Sequence, residues 1–189
     1  MEFILILELA ILITMVLIRS AMLRRQGINT IVFGETDKTD FFIVPIVLCF
    51  IYALLAPIIN LPLPLIIKTT FWNIDILNYS AIIICTICLI WFAITLKIFG
   101  NSFRVGIDES TEEKLITKGT FSISRNPIYL AMIIFFLGIF ISYPTIVTTL
   151  FLIFITTLIH RQILREEKFL KSHYGKEYAE YCSNVRRYI

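Results

Sequence analysis

Long, uninterrupted apolar blocks constrain this chain more than any other feature. They run Phe3–Ile18, Phe41–Ile59, about Ile76–Ile98, Ile128–Ile141 and Thr145–Ile159, the last two separated only by Ser142-Tyr143-Pro144. A helix needs about 20 apolar residues to cross the hydrocarbon core of a bilayer. A soluble domain keeps roughly a quarter of its residues charged, whereas here 16% are charged and 58% are hydrophobic. A single water-soluble core is excluded. The sequence predicts an all-α integral membrane protein of about five transmembrane helices, the last two forming a hairpin. A cytosolic helical tail follows them. The fourth and fifth blocks are short, so a full crossing and a hairpin that dips in and returns both remain open.

Charge sets the orientation. Of 17 Lys and Arg, all but Lys68 fall within Arg19–Lys38, Lys97–Arg125 or the stretch from Arg161 onward. These segments share one side if the helices alternate. Basic residues stay on the cytoplasmic side, which places the N-terminus outside and the third loop and tail in the cytosol. The first block has no basic stretch before it and Arg19, Arg24 and Arg25 after it, unlike a cleavable signal peptide. Topology alone accounts for the basic residues and the net charge of +3, so nucleic-acid binding is excluded. The spacing of Cys85 and Cys88 would suit a redox or metal site. They lie mid-block with no His or acid beside them, so they are expected to be packing residues, and no metal site is expected. Glu8 stands inside the first block. Lying two turns from the outer end, it is expected to snorkel to water or to be protonated. Pro45 and Pro57 suggest kinks near the ends of the second helix, and Leu61–Pro64 an extended connection.

The two halves differ in kind. Residues 1–100 read as a membrane anchor of three helices. Residues 101–189 read as a cofactor-binding and catalytic region, with a polar loop from Gly100 to Pro127 carrying Asp108, Glu109, Glu112 and Glu113. Loops of that length are usually either functional or disordered. Helical periodicity continues past the fifth block, Gly175 is expected to end that helix, and a further turn follows with Tyr178 and Tyr181 inward. If the hairpin returns to the side it left, Arg125, Asn126 and Tyr129 approach Glu166 and Glu167. Arginine binds a carboxylate through two parallel hydrogen bonds, and glutamate receives ammonium or hydroxyl donors. Such a cluster suits a zwitterionic cofactor, and Gly119 would allow close backbone approach. Arg125-Asn126-Pro127 could equally do no more than begin a helix, with proline at its first position.

The pattern Lys114-Leu115, Gly119, Phe121, Arg125-Asn126-Pro127, Tyr129 resembles the signature of the membrane methyltransferases. That superfamily includes isoprenylcysteine carboxyl methyltransferases and phospholipid N-methyltransferases. A second block, Glu166-Glu167, Leu170, Tyr174-Gly175, Tyr178, Tyr181 with Arg187 beyond, is similar to their C-terminal signature. The resemblance runs from about residue 95 to 189. It implies S-adenosylmethionine as cofactor and a membrane lipid or lipidated small molecule as substrate, entering from the bilayer. It also implies roles. Leu115, Gly119 and Phe121 would wrap the cofactor, and Arg125, Asn126, Pro127 and Tyr129 would line its pocket. Glu166 and Glu167 would hold its polar groups, while Tyr178 and Arg187 would close the pocket from the tail. With Arg125, the two glutamates are the candidate catalytic residues.

There are departures. Asn126 stands where the carboxyl methyltransferases usually have His, and looks more like the phospholipid branch. Ala131 replaces a common Gly, and an Arg often found one turn before the acidic pair is represented only by Arg161 and Gln162. The expected reaction is methyl transfer of the isoprenylcysteine carboxyl methyltransferase type, the acceptor being a carboxylate, an amine or a thiol. A carboxylate needs no base; an amine or thiol must lose a proton, with Glu166, Glu167 or His160 as candidates. The alternatives are an NADPH-dependent membrane reductase of the sterol type and a non-enzymatic membrane subunit.

Overall fold

The computed structural model describes residues 2–25, 43–99 and 115–189. Asp108, Glu109, Glu112, Glu113 and Lys114, and the start of the second apolar block at Phe41, lie outside the described residues. Among those described, the secondary structure is helical throughout: α1 (Glu2–Arg25), α2 (Ile43–Leu55), a single turn α3 (Leu65–Lys68), α4 (Asp75–Phe99), a 3-10 turn (Gly119–Ser122), α5 (Pro127–Ser142), α6 (Ile146–Tyr174) and α7 (Lys176–Asn184).

Every apolar block forms a helix, but the lengths differ from expectation. Three helices, Phe3–Arg25, Asp75–Phe99 and Ile146–Tyr174, are long and apolar enough to cross a membrane; α2 and α5 are shorter. The chain is a membrane protein. The fifth block does not stop at Ile159. It continues as one helix of 29 residues, because no Gly or Pro interrupts Ile146–Tyr174. At 1.5 Å per residue α6 is about 44 Å long against a core of about 30 Å. Its polar C-terminal half carries Glu166 and Glu167. Gly175, at φ +51°, then ends α6 as expected, its N–H bonding the Lys171 carbonyl at 3.2 Å.

The helix directions follow from contacts. The α5–α6 turn packs on the start of α4: Phe71 N–H donates to the Pro144 carbonyl at 2.8 Å, Trp72 Nε1 to the Ile141 carbonyl at 3.0 Å, and Ser142 Oγ to Asn78 Oδ1 at 3.2 Å. Thr145 and Thr148 cap α6 reciprocally at this turn. At the other end Trp91 Nε1 donates to the Pro127 carbonyl at 3.1 Å. α5 is therefore antiparallel to α4 and fastened to it at both ends. Between these points Gly138 lets the helices meet: a Cβ there would lie 2.6 Å from Cys85 Sγ and 3.4 Å from the Ala81 carbonyl. Cys85 and Cys88 are buried packing residues, as expected, and no group of three or more His, Cys, Asp or Glu suited to a metal occurs among the described residues.

α2 closes one flank through Phe50, stacked on Phe151 at 3.7 Å between centroids. α1 packs on α4, and its Leu5, Leu9 and Leu12 join the buried core. This removes the first of the two alternatives expected for Glu8, access to water. It does not snorkel: it is 6% exposed and accepts a 2.6 Å hydrogen bond from Thr86 Oγ1, while its Oε2 is buried without a partner. Distance from a helix end suggested water access, but Glu8 shares the face of Leu5, Leu9 and Leu12, which is the buried one.

Candidate active site

The site forms where α4 and α6 end and α5 begins. Gly119 opens the 3-10 turn at φ +65°, a conformation that favours glycine, and a Cβ there would lie 2.5 Å from Ile98 Cδ1. Its small size serves packing against α4. Phe121 is buried, its ring 5.1 Å from Phe99. Its carbonyl accepts from Tyr181 Oη of α7 at 2.6 Å, which ties this turn to the tail.

Arg125-Asn126-Pro127 does start a helix: Pro127 occupies the first turn of α5, and Asn126 makes no side-chain cap. The Asn126 amide is occupied elsewhere. Its Nδ2 and Ser124 Oγ both donate to the Arg187 carbonyl, each at 3.2 Å, and the Arg125 N–H donates to the Arg186 carbonyl at 3.0 Å. The segment after α7 is thereby strapped along residues 124–126. The strap brings the Arg187 side chain to Glu167. Arg187 Nε lies 3.1 Å from both carboxylate oxygens and Nη2 2.7 Å from Oε2. Arg125 Nη2 approaches Glu167 Oε1 at 3.2 Å. Glu167 is thus clasped by two guanidiniums, an arrangement that gives both strength and orientation. The hydrogen bonds to Glu167 raise the Arg187 pKa above its ordinary value and keep it charged.

Glu166 faces the other way, toward α5. Tyr129 Oη donates to Glu166 Oε1, and Gln162 Nε2 donates to the same oxygen at 2.9 Å. Tyr178 is buried beside the Arg125–Glu167 pair. Burial, then the Glu167 charge, raises its pKa, so its hydroxyl stays protonated. His160 Nδ1 meets Tyr188 Oη at 2.7 Å.

Of the residues picked out in the sequence, Arg125, Asn126, Tyr129, Glu166, Glu167, Tyr178 and Arg187 converge at this end. Pro127, Gly119 and Phe121 shape the adjoining wall, and Leu115 is half-buried in the stretch that leads into the 3-10 turn. Ser124 and Gln162 were missed. The signal for Gln162 was its place one turn before Glu166, where side chains four apart meet.

The model of the phospholipid methyltransferase family matches residues 74–177, more than half the chain. The protein belongs to that family. The match opens at the start of α4 and takes in α5, α6 and the paired glutamates; Tyr178 and Arg187 lie just beyond it. No curated protein matches, and no solved structure matches.

Proposed function

We propose that the chain transfers a methyl group from S-adenosylmethionine to a lipid-borne acceptor at the cytosolic end of its helices, with the N-terminus outside. The observation that carries this reading is the clasped Glu167, set among polar atoms that lack partners. Arg125 Nε is buried there without a partner, the Tyr178 hydroxyl meets only the weakly bonding Cys182 thiol, and Thr120 Oγ1 on the 3-10 turn is buried without a partner as well. Each such group costs about 1–3 kcal/mol, which a polar ligand would relieve. Carboxylate, guanidinium and hydroxyl groups suit the ammonium, carboxylate and ribose of the cofactor, so the residues fit it. Residues 1–100 would anchor the protein and residues 101–189 would bind and react, with α4 as their shared wall.

When bound, the cofactor supplies a methyl group on a positively charged sulfur, already reactive toward a nucleophile. The chain's work is alignment and exclusion of water. Glu167, Arg125 and Arg187 would hold polar groups in place, and Phe121 and Tyr178 would wall the site. The family match and Asn126 favour a phospholipid headgroup as acceptor over an isoprenylated cysteine carboxylate. Calorimetric titration of the detergent-purified protein with S-adenosylmethionine, NADPH serving as control, tests the reading. Saturable binding of S-adenosylmethionine alone is expected. Binding of NADPH alone would mean a reductase, and binding of neither by folded protein a non-enzymatic subunit.

A further inference from the structure

Glu166 and Glu167 are neighbours in sequence and opposites in environment. Both oxygens of Glu167 face guanidinium donors. Glu166 meets only neutral ones, the Tyr129 hydroxyl and the Gln162 amide, and both converge on Oε1. Among the described residues Oε2 receives no donor, and no cation pairs with Glu166. Tyr129 of α5 is the titratable group that faces it. Two adjacent carboxyl groups held so differently divide acid–base work: one stays an anion, the other exchanges a proton. Neutral donors suit both protonation states of a carboxyl group, whereas a guanidinium favours the anion.

We propose that Glu166 is the proton acceptor of this site, receiving a proton through Oε2 from the ammonium of the acceptor lipid, while Glu167 remains an anion that positions bound polar groups. The proposal rests on the methyltransferase reading with an amine acceptor. The step balances. The ammonium gives its proton to the carboxylate, which becomes a carboxylic acid, and the nitrogen keeps the electron pair. That pair forms the new C–N bond as the bond from methyl carbon to sulfur breaks, its electrons staying on sulfur. Glu166 then returns its proton to water. Gln162 is a positioning residue in this scheme, holding Oε1 without bringing a charge that would fix Glu166 as an anion.

The test uses Glu166→Gln, which keeps the shape and an oxygen to accept from Tyr129, in vesicles containing phosphatidylethanolamine. Against the cofactor-holding role that the resemblance implies for Glu166, S-adenosylmethionine affinity should stay within about threefold of the parent, since the Glu167 clasp is untouched. Methyl transfer at pH 7 should fall about a hundredfold or more. It should recover as pH rises and the amine loses its proton unaided. Gln162→Arg, placing a fixed cation one turn away, should also slow transfer while leaving cofactor binding intact. A protonated-carboxyl infrared band that appears in the parent only once the amine lipid is bound, and fails to appear in Glu166→Gln, would locate the transferred proton. Unchanged transfer in Glu166→Gln, or an activity loss that no pH restores, would overturn the assignment. Loss of cofactor affinity in that variant would make Glu166 a binding residue instead. A parent protein that binds no S-adenosylmethionine would remove the methyltransferase reading itself.

Discussion

Glu167→Ala is expected to weaken S-adenosylmethionine binding by at least about a hundredfold while leaving the protein inserted and folded. The substitution removes the anion that Arg125 and Arg187 share and leaves their two positive charges close together. Glu167 is 14% exposed and Arg125 13%, whereas Arg187 is 36% exposed. The Arg125 half of the clasp is therefore poorly screened and carries most of the effect; the Arg187 half is partly screened by solvent. Loss of the clasp also releases the side-chain anchor of the strap over residues 124–126, though its backbone hydrogen bonds remain. Arg125→Ala should give the same binding defect. Calorimetry, paired with size-exclusion profiles in detergent, checks both, and near-parental affinity in the two variants would remove this cluster from the cofactor site.

Gly138→Val should clearly destabilise the helix bundle. Even one added carbon would press on Cys85 Sγ at 2.6 Å, and Cys85 has no exposed surface into which to retreat. Overpacking of this kind costs about 1–3 kcal/mol, occasionally more, and here it would part α4 from α5 in the middle of their contact. Thermal unfolding in detergent should shift down clearly. The steric cause has its own signature: in a Gly138→Ala background, Cys85→Ala should restore part of the loss, because residues in contact do not act additively. No restoration would point to helix flexibility rather than crowding as the role of Gly138.

Much of this architecture was legible in the residues. Apolar runs bounded by Arg24 and Arg25, by Asp75 and by the Ser142–Pro144 turn marked the helices, since a bilayer accepts little else. A short turn between two helices forces their outer ends together, so the approach of Arg125, Asn126 and Tyr129 to Glu166 and Glu167 was readable before any coordinates. The helix running on from the fifth block to Gly175 was readable too, since polar residues end a membrane crossing without ending a helix. Two things were not. The burial of Glu8 depended on which face of α1 meets α4, something one helix cannot reveal about its partner. The strap rests on backbone carbonyls of Arg186 and Arg187, and a carbonyl leaves no mark on residue identity.

The fastening of α4 to α5 at both ends has a practical consequence. Cys85 lies at the middle of that pair, its thiol 3.5 Å from the Phe135 carbonyl, whereas Cys49 on α2 is exposed. The molecule thus carries its own gauge of internal breathing. A membrane-permeant thiol reagent reaches Cys49 at any time and Cys85 only when the two helices separate. The ratio of the two labelling rates reports how often the bundle opens, with no probe introduced and no residue changed.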